Sequence, residues 1–163
     1  FYTRGALTRR VHRKITMKTP ASIAGHPIYP MLVPIAIGGF LISFAFDVIC
    51  IASGSASPNL WNQIAYYTML AGIVGGLAAA IPGFVDMLSL PSGSLKKTAL
   101  IHMTINLTLL ALYIVNAYIR QAATLNLTIP MVLSFIGLCL LAVSGWLGGK
   151  MVFEAGVGVS NAT

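Results

Sequence analysis

The stretch GHPIYP over residues 25–30, followed by the apolar run MLVPIAIGGFLISFAFDVICI over residues 31–51, decides the fold of this chain. A run of about 21 apolar residues is long enough to cross ~30 Å of hydrocarbon as an α-helix that rises 1.5 Å per residue. The prolines before the run oppose a helix that enters it from the N-terminal side. The run therefore predicts a transmembrane helix with a histidine, His26, at its entry.

Composition places the whole chain in a membrane. Of the 163 residues, 57% are hydrophobic and only 8% are charged, whereas a soluble domain carries about 25% charged residues. So few charges cannot cover a water-exposed surface, and most of the surface must face lipid. The first run also exceeds the ~7–15 residues of a signal-peptide core, and no small-residue cleavage site follows it, so we expect it to be retained.

Three further apolar runs follow, and together the four predict an all-α integral membrane protein, a four-helix up-down bundle. The helices are expected at about residues 30–51, 62–88, 98–119 and 130–149. They form a membrane domain over residues 26–150, preceded by a basic juxtamembrane arm (residues 1–25) and followed by a short tail (residues 151–163). The two cysteines lie inside apolar runs and are interpreted as packing residues without a disulfide.

The positive charges predict that both termini are cytoplasmic. Six of the ten Lys and Arg residues precede residue 19, two lie between helices 2 and 3, and one follows helix 4, whereas the opposite loops hold only Arg120. We assign the net charge of +7 to anionic headgroups of an energy-transducing or plasma membrane, not to nucleic acid. Part of the arm is also a candidate docking segment for a larger complex, through Arg9, Arg10, Arg13 and Lys14.

Small and polar residues define helix faces. Small residues on helices 2 and 4 predict close packing, because packing rather than hydrophobicity drives helix association in lipid. Helix 3 carries a polar stripe whose spacing places it on one face, and we expect that face to point into the bundle or at a partner. The stripe comprises His102, Asn106, Tyr113, Asn116 and Arg120.

Each half of the chain is also a helical hairpin with a histidine near its start. An internal duplication of the chain therefore stays open as an interpretation.

His26 and His102 open helices 1 and 3 on the same predicted membrane face, and they are the candidate cofactor ligands. Neutral imidazole is a standard axial ligand of haem iron, and bundle cores hold cofactors between facing helices. One b-type haem, or another tetrapyrrole, between diagonal helices 1 and 3 is the first hypothesis. Asn106 and Asp86 are expected to orient the imidazoles. A chlorophyll on a single histidine would give the same pattern.

Two other interpretations stay open. In one, His26, His102 and either Asp86 or Glu154 bind a metal ion or relay protons, although no closely spaced His-x-x-x-His or Glu-x-x-His pair is present. In the other no cofactor binds: His26 caps or orients helix 1, His102 hydrogen-bonds within the bundle, and Asp86 pairs with a lysine of the next loop or caps a helix end. The sequence contains no nucleophile–base pair, phosphate loop or nucleotide motif, so it predicts no catalytic centre.

Five short motifs together resemble a known family over about residues 25–158. They are GHPIYP at 25–30, FD at 46–47, PGFVD at 82–86, HMTIN at 102–106 and SGWLGG at 144–149. The chain resembles a bacterial family of small four-helix membrane proteins of unknown function, which is sometimes fused to, or encoded beside, Rieske iron–sulfur and other redox proteins. The resemblance implies a redox context.

The chain departs from that family at two positions. Tyr29 stands where the family's opening motif has its second histidine, and Ala155 stands where the family tail often has another. The first hypothesis is therefore a small membrane subunit of an electron-transfer or energy-converting complex that ligates one haem. The alternative is a cofactor-free structural subunit that docks on a larger complex or forms a homo-oligomer. A proton or ion transporter through Asp86 and Asp47 is a third class.

Overall fold

The computed structural model describes residues 17, 19–53, 58–122 and 127–159, and the predicted docking residues Arg9, Arg10, Arg13 and Lys14 lie outside these ranges. The described residues form four helices, all long and apolar enough to cross a membrane. The predicted four-helix, multi-pass membrane architecture is confirmed. The helices are α1 (Tyr29–Ala52), α2 (Pro58–Ser89), α3 (Ser94–Ala122) and α4 (Thr128–Phe153).

The helices are longer than the hydrophobic runs predicted, because polar turns continue them beyond the apolar segments. The first residue of α2 is Pro58, which a helix tolerates there because its missing N–H would have no intrahelical partner anyway. Helix α4 continues past two glycines to Phe153, with Lys150 in its last turn. A cation in that position complements the negative end of the helix dipole.

A short hairpin that the sequence did not predict lies just before the first helix. Strand β1 (Ser22–Ile23) pairs antiparallel with β2 (His26–Pro27). The two residues between them, Ala24 and Gly25, have φ values of 49° and 80°. Positive φ at both central residues is what a type I′ hairpin turn requires. The hairpin leads directly into α1.

The helices form a ring in which α1 packs most extensively against α2, and α3 against α4, while α2–α3 and α1–α4 contacts close the ring. Helices α1 and α3 therefore lie on a diagonal, as predicted. A Cβ atom on Gly39 would lie 2.6 Å from the Cα of Gly72, so the backbones of α1 and α2 touch there. Small residues permit this approach. By contrast, a Cβ on Gly145 of α4 would have no atom of another element within 4 Å.

An apolar layer fills the middle of the bundle. The rings of Phe40 and Tyr113 stack across the diagonal, with centroids 3.8 Å apart and an interplanar angle of 4°. Buried aliphatic side chains of α2 and α3 surround them, including Ile73, Leu109 and Leu110. This layer separates two clusters of polar side chains, one near each end of the bundle.

Candidate functional site

His102 is hydrogen-bonded to residues of three helices near the end of the bundle where α1 begins and α4 ends. The hydroxyl of Tyr29 in α1 is 2.9 Å from Nε2 of His102, and Nδ2 of Asn106 in α3 is 3.0 Å from the same nitrogen. Nδ1 of His102 is 3.0 Å from the carbonyl oxygen of Ser144 in α4, and 3.0 Å from its Oγ. We call these four residues the histidine cluster. They confirm that the stripe on α3 points into the bundle.

The partners of His102 determine its tautomer. A backbone carbonyl only accepts hydrogen bonds, so Nδ1 carries the proton and donates it to Ser144. Nε2 then accepts hydrogen bonds from the Tyr29 hydroxyl and the Asn106 amide. The Ser144 hydroxyl donates to Oδ1 of Asn106 at 2.8 Å, which orients the amide. The network therefore uses both ring nitrogens of a neutral imidazole.

Glycines hold the two rings of the histidine cluster. A Cβ on Gly148 of α4 would lie 3.3 Å from Cε1 of His102, and one on Gly83 of α2 would lie 2.9 Å from Cδ2 of Tyr29. The small residues of these helices were predicted to permit close packing. At these two positions they pack against the imidazole and phenol rings.

His26 lies apart from the histidine cluster. Its side chain is exposed, and its Nδ1 is 3.1 Å from the carbonyl oxygen of Ala24 in the same hairpin. The residue that reaches His102 across the diagonal is Tyr29, three residues further along the chain. The N-cap position of α1, Ile28, has no side-chain cap. The structure therefore does not bring His26 and His102 together, and His26 does not cap α1.

Asp86 fixes the N-terminal hairpin to the bundle. Its Oδ1 accepts a hydrogen bond of 2.9 Å from the backbone N–H of Ala21. The expected pairing with a loop lysine is replaced by this contact, and Nζ of Lys96 instead lies 3.5 Å from the carbonyl oxygen of Leu88. Asp86 is thus a structural acceptor for the chain that precedes α1, and the structure gives it no contact with His102.

These contacts do not fit axial ligation of one haem by His26 and His102. Ligation through Nε2 of His102 would require the lone pair that now accepts two hydrogen bonds. Among the described residues, no group of three or more His, Cys, Asp or Glu side chains could hold a metal ion. The carboxylate of Glu154 lies 3.9 Å from Lys150 on the exposed surface, so the alternative metal set is not assembled either.

A buried ion pair lies near the opposite end of the bundle. Oδ2 of Asp47 in α1 is 2.5 Å from Nη2 of Arg120 in α3, and both side chains are 1% exposed. Arg120 also donates through Nη1 to Oδ1 of Asn62 in α2, at 3.1 Å. A buried charge pair is tolerated in a bilayer only when each charge is matched and hydrogen-bonded.

Asn116 extends this cluster to the fourth helix. Its Oδ1 accepts a hydrogen bond from Nε of Arg120 at 3.3 Å. Its Nδ2 donates to the carbonyl oxygen of Pro130 and to Oγ of Ser134, both at 2.9 Å in α4. With Asp47 and Asn62, these residues form the ion-pair cluster, which links all four helices.

The described residues form no continuous polar path between the two clusters. The stacked rings of Phe40 and Tyr113 and the buried side chains of Leu109 and Leu110 lie between them. The transport hypothesis needs protons or ions to pass between Asp86 and Asp47, so the arrangement gives it no support.

Contacts recur at constant sequence separations in the two hairpins. Tyr29 and His102, Phe40 and Tyr113, and Asp47 and Arg120 meet across the diagonal, and each pair is 73 residues apart. The glycines that face these rings also recur at a constant sequence separation. Gly137 and Gly148 follow Gly72 and Gly83 by 65 residues, and each pair packs against equivalent rings of the preceding helix. This geometry supports the internal duplication that the sequence left open.

Sequence reasoning missed the partners that complete both clusters. It did not pair Asp47 with Arg120, although two opposite charges in or next to apolar runs are a signal for pairing. It treated Tyr29 as a lost ligand, whereas Tyr29 is the hydrogen-bond partner of His102. Ser144 was quoted only within the SGWLGG motif and was given no role at His102.

Comparison with known proteins gives one match. A family model described as "Predicted membrane protein (DUF2231)" matches residues 25–161, a segment that contains both clusters. No curated protein and no solved structure matches the chain. Because the matched segment covers most of the chain, the protein belongs to this family of membrane proteins of unknown function.

Proposed function

We propose that this protein is a cofactor-free structural subunit that docks on a larger membrane complex through its basic N-terminal arm. In this proposal the four helices anchor the arm at one membrane face. The redox context implied by the family resemblance makes an electron-transfer or energy-converting complex the proposed partner. The observation that carries the proposal is the attachment of the C-terminal part of the arm, at Met17 and Ala21, to the rest of the structure.

Three hydrogen bonds make this attachment. The N–H of Met17 donates to the carbonyl oxygen of Gly156 at 3.2 Å, and the N–H of Gly158 donates to the carbonyl oxygen of Met17 at 2.9 Å. The hydrogen bond from Ala21 to Asp86 adds the third contact. A freely moving arm would lose more conformational entropy on binding than one whose base is already fixed. The contacts therefore fix the point, near Met17, from which the basic segment extends.

The charge of the arm defines the surface it would bind. Six Lys and Arg residues precede residue 19, against three acidic residues in the whole chain. Such a segment is attracted to anionic surfaces. An acidic face of a larger protein and anionic headgroups share this chemistry, so the experiment has to separate them.

The occupied nitrogens of His102 support the cofactor-free part of the proposal. The hydrogen bonds from Tyr29 and Asn106 to Nε2 and from Nδ1 to Ser144 give the imidazole a structural role that links three helices. Breaking such a buried network to ligate iron would leave these polar groups without partners.

The test compares complex size in native membranes that are solubilised in mild detergent. We expect the wild-type chain to migrate on native gels with a larger assembly. A variant in which Arg9, Arg10, Arg13 and Lys14 are all serine should migrate alone, while its amount in the membrane stays unchanged. A double variant at Lys96 and Lys97, also to serine, is the control for loss of positive charge at the same face and should stay in the assembly.

Three outcomes would contradict the proposal. The wild-type chain could migrate alone, the arm variant could stay in the assembly, or the purified wild-type chain could carry a stoichiometric chromophore. If the arm variant only weakens binding to vesicles with anionic lipid and leaves the assembly intact, lipid rather than protein is the partner of the arm.

A further inference from the structure

Two buried oxygen atoms on one face of α1 have no hydrogen-bond partner among the described residues. They are Oγ of Ser43 and Oδ1 of Asp47. The Ser43 side chain is fully buried and Asp47 is 1% exposed. Leaving a buried polar atom unsatisfied costs about 1–3 kcal/mol, and more for a charged group. The two atoms therefore point to a further hydrogen-bonding group that lies between them.

The spacing of the two residues fits one small guest molecule. Residues four apart on a helix have Cβ atoms about 5–6 Å apart. A water molecule with two hydrogen bonds of about 2.8 Å joins oxygen atoms about 4.5 Å apart, which side chains that extend from such Cβ positions can reach. The other carboxylate oxygen of Asp47 is already bound to Arg120, so Oδ1 is the atom that remains for the guest.

We propose that Ser43 and Asp47 hold a buried water molecule that completes the hydrogen bonding of the ion pair. The water donates one hydrogen to Oδ1 of Asp47 and forms a second hydrogen bond with Oγ of Ser43. This site is distinct from the arm, and it is independent of the proposed docking function.

The charge at the site favours a neutral guest. The guanidinium of Arg120 already balances the carboxylate of Asp47, so a bound cation would leave a net positive charge inside the membrane domain. Water brings a donor without charge, and ordered waters commonly satisfy buried polar groups in this way.

The position of the pair gives water a short route from one membrane surface. Asp47 lies five residues before Ala52, where α1 ends, which corresponds to about 7.5 Å along the helix axis. The Asn62 side chain, which contacts Arg120, is only half-buried. Water would therefore enter from the end of the bundle where α1 ends and α2 begins.

A structure of the full chain in a lipid nanodisc, at a resolution of about 2 Å where water is visible, tests the site directly. We expect a density peak about 2.6–3.2 Å from both Ser43 Oγ and Asp47 Oδ1. The absence of a peak while other buried waters are visible would overturn the proposal. A peak at about 2.4 Å from both oxygens would also overturn it, because that distance indicates a cation.

The sign of a stability change gives an independent test. Ser43→Ala removes one partner of the water, so we expect the unfolding equilibrium constant in bicelles to rise by about tenfold. If no water is present, the substitution removes an unsatisfied hydroxyl and leaves stability unchanged or higher, which would refute the proposal. Thr108→Ala is the matched control, because this exposed hydroxyl is bonded to its own helix, at the carbonyl of Thr104, and should have little effect.

Discussion

Tyr29 and His102 occupy equivalent positions in the two helical hairpins, and the tyrosine hydroxyl donates its hydrogen to Nε2 of the histidine. The same 73-residue separation recurs in the stacked aromatic pair and in the buried ion pair. When a two-fold axis runs parallel to two helices and between them, equivalent residues of the two helices meet at the axis. The three pairs therefore mark a pseudo-two-fold axis between α1 and α3. At both ends of this axis the two halves carry complementary rather than identical side chains.

The equivalence of Asp47 and Arg120 predicts that their charges can be exchanged. Asp47→Arg or Arg120→Asp alone places two like charges in a buried site and should cost about 3–5 kcal/mol of unfolding free energy. The double exchange restores an ion pair at the same place on the axis, and we expect a coupling energy of at least about 1 kcal/mol. Unfolding titrations of the four proteins in bicelles measure this cycle.

The exposed pair of Lys150 and Glu154 provides the control for the exchange. Its charged atoms are 3.9 Å apart on the surface, and exposed pairs contribute little. The corresponding double exchange should show no measurable coupling. A coupling of zero at the buried pair as well would refute the equivalence of the two positions.

The fold was largely predictable because a bilayer imposes strong constraints on sequence. Four long apolar runs and few charges predicted the spans, and the up-down order of the helices predicted the diagonal arrangement. The hairpin before α1 was not predicted, since two-residue strands leave no periodic pattern. Helix ends were also missed, because polar turns such as the one at Lys150 extend helices beyond their apolar segments.

The candidate site was predictable only in part. The spacing of the stripe on α3 correctly directed His102, Asn106 and Arg120 into the bundle. It could not show which residues of the other helices meet them, because such contacts depend on the register between helices, which composition does not encode. The constant separation of 73 residues can be recognised only when the contacts are known. It shows that the residue equivalent to His102, and in contact with it, is Tyr29 and not His26.

The glycine that faces Tyr113 should not tolerate a methyl group. A Cβ on Gly137 would lie 2.6 Å from Cε2 of the buried Tyr113 ring, which is itself stacked on Phe40 and cannot shift freely. We expect Gly137→Ala to lower the unfolding free energy by about 1–3 kcal/mol. Gly145→Ala in the same helix has open space and should be neutral or slightly stabilising, since alanine favours helix. Equal effects of the two substitutions in unfolding titrations would contradict the packing described.

The carboxylate of Asp86 should control the attachment of the N-terminal hairpin. Asp86→Ala removes the acceptor for the N–H of Ala21, so residues near Ala21 should exchange amide hydrogens about 5- to 10-fold faster, as expected for loss of one net hydrogen bond of about 1 kcal/mol. Asp86→Asn keeps an acceptor oxygen and should show a smaller change. Glu154→Ala, which removes a carboxylate at the same end, should leave exchange at Ala21 unaltered. Hydrogen–deuterium exchange by mass spectrometry measures all three, and unchanged protection in Asp86→Ala would contradict this role.

A structural role of His102 and a role as haem ligand predict different visible spectra for the purified protein. As a structural residue, His102 should be sensitive to truncation. We expect His102→Ala to cost about 2–4 kcal/mol, because it leaves a cavity and removes a partner of Asn106 and Ser144. Tyr29→Phe, which removes one of two donors to Nε2, should cost about 1 kcal/mol. Neither change should alter the visible spectrum, because the purified wild-type chain should show no b-type α band in a reduced-minus-oxidised difference. A band in the wild type that disappears in His102→Ala and in His26→Ala would instead establish the haem hypothesis and refute the cofactor-free proposal.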